Sequence, residues 1–464
     1  MLKRVLILVS ALFLNLLFSV VAFTIDNSEF LRLCETGTLE EVEKAIKNGA
    51  DLNARDRFGK VDRPLMFFAV RNKNSAVVTA LIKAGADVNA RDENNNTALI
   101  NMTLNTSNLP IIKELIRGGA DVNAANNKGI TALMTPAQYH SDPDVIKELI
   151  KAGANVNAKD KTGSTPLMMA VNNTSPSSND AVIKELIKAG ADVNAEGKRG
   201  ITALVIASGK RSSPDALKEL VKAGADVNAG KDGNITALMS AAYENPNTVI
   251  IEELLKLGAD VNAKDGFGKT ALMYASEHNS YPPVITALIK AGSEVNASAK
   301  YDTGRTALMY AVQLNSNPNI FKELLKNGAD VHATNNLGQT VLMTATYGFA
   351  NSEIILELLK VGVDVNVKDK YDNTALMSAT LNQHHDAVTA LIKAGADVNA
   401  KNKDGVTALM NVNASNPEIM IPELLKAGAD INAKDKYGNT ALAIAKIKNN
   451  KYAIEELIKA GAKF

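Results

Sequence analysis

The chain has 464 residues with 51 Lys and Arg against 50 Asp and Glu, so no global field selects nucleic acid or an acidic membrane surface. A hydrophobic content of 46% is enough for a core, yet aromatic residues make up only 5% and tryptophan is absent, which suits closely approaching helices. A single cysteine, Cys34, excludes an intramolecular disulfide in any compartment.

Residues 1–22 read as a secretory signal. Lys3 and Arg4 precede an apolar run from Val5 to Val21 that only Ser10, Asn15 and Ser19 interrupt. Val20, Val21 and Ala22 then offer small residues where a signal peptidase reads, which predicts cleavage after Ala22. The competing reading is an uncleaved anchor. A span takes about 20 apolar residues, and this run is a little short and dotted with polar side chains. Loss of Lys3 and Arg4 from the 51 basic residues leaves 49 against 50 acidic ones.

The segment from Asp26 to about Lys47 reads as a reduced helix pair with a polar start, Asp26 to Glu29, and Cys34 among Phe30, Leu31 and Leu33 reads as a buried core thiol. From Gly49 onward the chain repeats. Gly-Ala-Asp-Val-Asn-Ala begins at Gly85, Gly119, Gly190, Gly224, Gly258 and Gly395, and relaxed copies begin at Gly49, Gly153, Gly292, Gly328, Gly362 and Gly428, with a truncated one at Gly461. The spacing is 33 to 37 residues throughout. A period of that size predicts a solenoid, in which each unit packs only on its neighbours.

Gly258 to Gly292 illustrates one unit. Gly258 lies just past a helix end, where a left-handed backbone costs glycine nothing. Asp260 to Ala263 is expected to be extended, and Lys264 to Gly268 to turn. Thr270 can cap a first helix that begins Ala271-Leu272-Met273. Val284, Ile285, Leu288 and Ile289 form a one-sided apolar stripe on a second helix. The same order recurs with Thr97, Thr131, Thr165, Thr202, Thr236, Thr306, Thr340, Thr374, Thr407 and Thr440 at the first-helix cap. Asp142-Pro143, Ser213-Pro214, Asn245-Pro246, Asn317-Pro318 and Asn416-Pro417 are read as starts of second helices, cap then proline. Lys-Glu-Leu-x-Lys strings put Glu148 and Lys151 on a solvated back surface.

Gly-x-Thr-Ala-Leu-Met-x-Ala, an apolar second helix and Gly-Ala-Asp-Val-Asn-Ala together resemble the ankyrin repeat over residues 26–464. Three departures stand out. The family's Thr-Pro-Leu-His becomes Thr-Ala-Leu-Met, with Met134, Met168, Met239, Met273, Met309, Met343, Met377 and Met410 exchanging a hydrogen bond for apolar packing. The Gly-His of the inter-helix turn is mostly Asn, Ser and Pro. The terminal units, 26–48 and 439–464, look like solubilising caps. The resemblance implies an all-α helical solenoid with short β-hairpin loops, about 13 helix-turn-helix repeats, forming one arc on the order of 100 Å long.

Gly268-Lys269-Thr270 mimics the end of a phosphate loop, but Ala263 stands where its first glycine is required, so nucleotide binding is rejected. Asp430, Asn432 and Asp435 hint at calcium, yet the twelfth position is Ala441, and turn-stabilising side chains are the favoured reading. His140, His278, His332, His384 and His385 scatter over several repeats, and His384-His385-Asp386 reads as a surface turn rather than a metal site. No nucleophile-base pairing appears, so no enzyme, cofactor or metal is expected.

The family resemblance implies partner binding through hairpin tips and the exposed end of each first helix, which line a concave face. In this chain the tips offer Arg57, Phe58, Lys161, Phe267, Tyr301, Lys370, Tyr371, Lys403, Lys436 and Tyr437, and the helix ends offer Arg71, Tyr139, Lys210, Tyr243, Glu277, Gln313 and Tyr347. The spacing from turn asparagine to cap is ten residues at Asn53–Arg63 and Asn296–Thr306 rather than eight, so those tips are expected to protrude. A third insertion, Thr174–Asp180, is expected to lengthen an inter-helix turn. The expectation is a monomeric, non-enzymatic scaffold that binds another protein, not nucleic acid, and meets a membrane only if the N-terminal segment stays uncleaved. It is expected to be exported, of bacterial type, and periplasmic or secreted. The alternative is a regulatory or inhibitory subunit of an envelope or host enzyme.

Overall fold

A computed structural model describes residues 25–57, 62–105, 108–139, 142–173, 176–209, 214–230, 233–348, 351–412 and 417–463. The signal segment 1–22 and Phe58, His140, Lys210, Ser213 and Asn416 lie outside them. Two compact units are distinguished, one drawn from Met1–Ala203 with Lys218–Ala225 and one from Leu204–Leu217 with Asp226–Phe464. Among the described residues thirteen helix pairs run from Asn27–Thr36 with Leu39–Lys47 to Ala441–Ile447 with Lys451–Lys459, as the period predicts.

Each pair is built the same way. In Ala271–His278, Thr270 Oγ1 accepts the Met273 N–H at 3.4 Å and caps the helix. Leu272, Met273 and Ala275 are buried and face Val284, Ile285 and Leu288 of Pro282–Lys290, also buried. Burial of each large side chain is worth about 1.5–3 kcal/mol. The eight methionines in place of the family's histidine are all buried, as apolar packing requires. Second helices such as Thr248–Lys256 end in a Schellman motif: Gly258 N–H reaches Leu255 O and Ala259 N–H reaches Leu254 O, with Gly258 at φ 93°.

Two asparagine ladders hold successive pairs together, and neither is evident from composition. In the first, the asparagine of Asp-Val-Asn reaches the next helix end. Asn262 Nδ2 donates to Gly292 O at 3.0 Å while its Oδ1 accepts the Glu294 N–H at 2.9 Å. Asn89, Asn123 and Asn157 in the first unit, and Asn228, Asn296, Asn366 and Asn399 in the second, repeat this two-bond rung. His332 replaces the asparagine before Gly362, and a cleft of about 110 Å³ lined by Val331, His332, Val363 and Val367 opens there. In the second ladder, a buried asparagine just after the first helix donates backward. Asn279 reaches Ala242 O and Asn245 O, and Asn315 reaches Ser276 O and Asn279 O, all at 3.0–3.1 Å. Asn72 and Asn245 do the same. This explains the loss of Gly-His: asparagine supplies the donors that close the preceding helix end.

Several local expectations are corrected. Asp260–Ala263 is a turn rather than extended, because Asp260 Oδ1 accepts the Asn262 N–H at 3.0 Å and Asp260 O accepts the Ala263 N–H at 3.2 Å. Asn245 does not start a second helix; it belongs to the buried ladder, and Asn247 caps Thr248–Lys256 instead. Thr131 and Thr407 sit at the cap site, but their hydroxyls are buried without a partner. The insertion near Asp180 lengthens the second helix, Pro176–Lys188, instead of the turn alone. The two longer tips gain true antiparallel ladders, Arg55–Asp56 on Arg63–Pro64 and Ser298–Ala299 on Arg305–Thr306, where most other tips are tight turns.

Cys34 is buried, and burial pushes its thiol from an ordinary value of 9.0 up to about 12. The folded chain thus holds the thiol proton more tightly than the unfolded chain. That contribution to stability is complete below pH 9.0 and is lost as the pH rises toward about 12. Cys34 is expected to stay unreactive toward an aromatic disulfide reagent at pH 8 and to react fully once denaturant is added; rapid reaction in the native protein would show that the first pair opens.

Candidate partner-binding surface

The tips present side chains because the turn itself consumes the inward-facing ones. At Asp265 the carboxylate Oδ1 accepts the Phe267 N–H at 2.9 Å and the Lys269 N–H at 2.8 Å, which points Phe267 outward. Phe267, Tyr301, Tyr371 and Tyr437 are 62%, 71%, 57% and 75% exposed, values that leave most of each ring for a partner. Neighbouring tips are bonded in series: Tyr301 N–H reaches Phe267 O at 3.2 Å, and Lys370 N–H reaches Leu337 O at 2.9 Å. Gly268 permits this approach, since it holds φ 81° and a Cβ there would meet the Lys300 nitrogen at 3.0 Å. Lys300 Nζ lies 5.5 Å from the Tyr301 ring centre and Lys436 Nζ 4.9 Å from that of Tyr437, so these rings carry a cation beside them.

The protruding tip at Tyr301 is anchored from beneath by a polar cluster. Lys269, whose side chain is 13% exposed, places its Nζ 2.7 Å from Glu277 Oε2, 3.7 Å from Asp302 Oδ2 and 4.4 Å from the centre of the Tyr310 ring. Tyr310, fully buried, donates its hydroxyl to Asp302, and the Tyr274 hydroxyl donates to Asp265 Oδ2 at 2.7 Å. Burial first, and the adjoining carboxylate second, push both phenols well above their ordinary value, so both remain donors across the physiological range. Arg305 stacks near the same ring, at 5.8 Å. The Lys269 of the rejected phosphate-loop look-alike is therefore an internal counter-ion of the tip.

Arg57 is exposed, and its Nε lies 3.6 Å from Asp62, which Arg55 also holds at 2.6 Å. The hydrogen bond from Arg55 keeps the Asp62 carboxyl below its usual range. Arg71 pairs with Glu35 at 3.3 Å, and Tyr139, Lys161, Tyr347 and Lys370 are exposed. Tyr243 is half-buried, edge-on to Tyr274 at 6.1 Å and 4.3 Å from His278. Glu277 faces inward in the cluster and Gln313 has a buried, unpartnered Oε1, so neither offers the exposed contact expected of it.

Exposed apolar residues at first-helix ends add to this surface beyond the positions that the sequence suggests. Leu104, Leu381 and Ile447 are 41%, 43% and 70% exposed and, like Tyr347, are the seventh residue after the capping threonine. Counting from the threonine would have found them. Turn carboxylates behave as the favoured sequence reading holds: Asp430 Oδ1 accepts the Asn432 N–H and Asp435 Oδ1 the Tyr437 and Asn439 N–H groups. Among the described residues no group of three or more His, Cys, Asp and Glu side chains is placed to hold a metal, and no helix is long and apolar enough to cross a membrane. Burial lowers the His384 imidazole below its ordinary value, and His385 Nδ1 lies 3.4 Å from Glu423 Oε2.

Comparison with protein families gives consistent matches along the chain. The model for ankyrin repeats (3 copies) matches residues 101–196, 175–265, 238–335 and 308–402. The model for ankyrin repeats (many copies) matches 391–445, and that for a single ankyrin repeat matches 62–93. A comparison with curated proteins gives no match.

Proposed function

The chain belongs to the ankyrin repeat family, a class of repeats that generally mediates protein–protein interaction, and from that premise we propose that it is a non-enzymatic scaffold binding another protein through its hairpin tips and first-helix ends. The observation that carries this reading is the set of exposed rings, Phe267, Tyr301, Tyr371 and Tyr437, of which Phe267, Tyr371 and Tyr437 sit on turns whose aspartate accepts the ring residue's own N–H. Side chains so placed cost little further entropy when a partner covers them. The protein acts as a monomer and works outside the cytoplasm; Lys3, Arg4 and the apolar run to Val21 support export.

Replacing Tyr301, Tyr371 and Tyr437 together by Ala is expected to weaken partner capture at least about tenfold, since truncating an anchoring ring commonly costs over 1 kcal/mol. The unfolding midpoint should stay nearly constant because the rings contribute little to the core. Partner capture is read by crosslinking followed by titration of the purified partner. Undiminished affinity would remove the tips from the binding surface, and a large fall in the midpoint would assign the rings to the fold.

A further inference from the structure

The charge balance of the whole chain conceals a one-sided edge in the second unit. In the three consecutive tips near Tyr371, Asp404 and Tyr437, the lysines at 368, 370, 401, 403, 434 and 436 are all exposed. The acidic residues there are turned inward or neutralised. Asp369 is 6% exposed and its Oδ1 accepts the Tyr371 and Asn373 N–H groups, both at 2.8 Å. Asp435 is half-buried and accepts the Tyr437 and Asn439 N–H groups at 2.9 and 2.7 Å. In the middle tip a neutral residue, Asn402, does the same work, accepting from Asp404 and Val406. Asp372 is half-buried, and the one exposed carboxylate, Asp404, is paired with Lys436 at 2.5 Å. Backbone bonds from Lys403 to Tyr371 O, 3.0 Å, and from Lys436 to Asp404 O, 2.8 Å, hold the three tips in register.

We propose that these three tips form a binding edge for an acidic polypeptide segment, the lysines meeting its carboxylates and Tyr371 and Tyr437 packing on its apolar groups. The proposal rests on the protein-binding reading above and specifies the partner's chemistry. The cause is local: a tight turn needs an acceptor facing its own N–H groups, so the acid is consumed by the fold while the lysine beside it stays in solvent. The other exposed aspartates of these repeats lie elsewhere: Asp364, Asp397 and Asp430 at the opposite end of each hairpin segment, beside the glycine that ends the second helix, and Asp386 in the first turn of the second helix His385–Lys393. A nucleic-acid strand fits less well. The rings are separated by Asp404, which breaks a stacking run, and these tips contain no arginine.

The test titrates the full-length chain with a fluorescent glutamate-rich peptide containing two leucines, and with oligothymidylate of equal charge, at low and at moderate salt. The peptide is expected to bind, to bind more tightly than the oligonucleotide, and to weaken with salt. The triple change Lys370→Glu, Lys403→Glu and Lys434→Glu should weaken peptide binding on the order of tenfold or more, because three exposed attractions become repulsions, with the unfolding midpoint held. No peptide binding, tighter binding of oligothymidylate, or indifference to the triple change would overturn the proposal. A natural partner whose capture depends on the rings but ignores the triple change would sink this inference alone and leave the scaffold reading standing.

Discussion

Asn279→Ala is expected to lower the unfolding free energy by about 3–5 kcal/mol, a loss far beyond that of an ordinary surface change. Asn279 is buried, and its Nδ2 donates to Ala242 O and Asn245 O at 3.1 Å each, while its Oδ1 accepts the Tyr281 N–H at 2.9 Å. Both carbonyls lie at the end of the helix Ala237–Glu244, where intrahelical donors have run out. Leaving each buried acceptor unmet costs about 1–3 kcal/mol, and the turn into Pro282–Lys290 loses its closing bond as well. Urea unfolding monitored by circular dichroism gives the total, and hydrogen exchange at the neighbouring amides gives its location. Asn279→Asp keeps the shape but cannot donate, so it should be nearly as damaging. If Asp were tolerated, cavity formation rather than lost donation would be the cause, and the ladder would have to be reread as packing.

Lys269→Met should cost about 3–5 kcal/mol, the usual effect of stripping one partner from a buried charge cluster. Methionine retains the hydrocarbon stem, so the loss isolates the ammonium, which sits 2.7 Å from Glu277 and 3.7 Å from Asp302. Glu277 then keeps only His278, whose Nε2 lies 3.4 Å from Oε1, beside it, and the tip held through Asp302 loosens. Faster exchange at residues 299–304 is the expected local signature, and binding through Tyr301 should weaken with it. Combining Lys269→Met with Glu277→Gln should recover part of the stability, because the uncompensated charge goes too. A double variant no better than the single one would show that Lys269 acts through packing on Tyr310 instead.

The two predictions separate what each polar group does. Asn279 completes backbone bonds between stacked pairs, so its loss should not touch a partner directly. Lys269 braces one protruding tip, so its loss should reach both stability and binding. Lys370, Lys403 and Lys434, the lysines of the triple change, have exposed side chains and should change binding alone. Graded in this way, the three sets of variants distinguish the frame from the surface it carries.

Much of the frame was legible from residue order. A period of 33–37 residues, threonine caps at fixed register and one-sided apolar stripes dictate stacked helix pairs, because each pair has an apolar face only a neighbour can cover. The burial of the eight methionines followed from the same register. Sequence also placed the exposed tip rings, since the turn residues flanking Phe267, Tyr301, Tyr371 and Tyr437 have their own periodicity. What only the tertiary structure decided is where polar side chains spend their hydrogen bonds. Asn245 reads as a helix cap in one dimension and is a buried ladder rung in three; Glu277 reads as a surface contact and is an internal counter-ion; Asp369 and Lys370 are adjacent in the chain and face opposite ways. Apolar pattern is a property of one element and its period, so sequence carries it. The partner of a polar group lies 30 or more residues away in the next repeat, as with Asn262 and Gly292, and that choice is made only when the repeats stack.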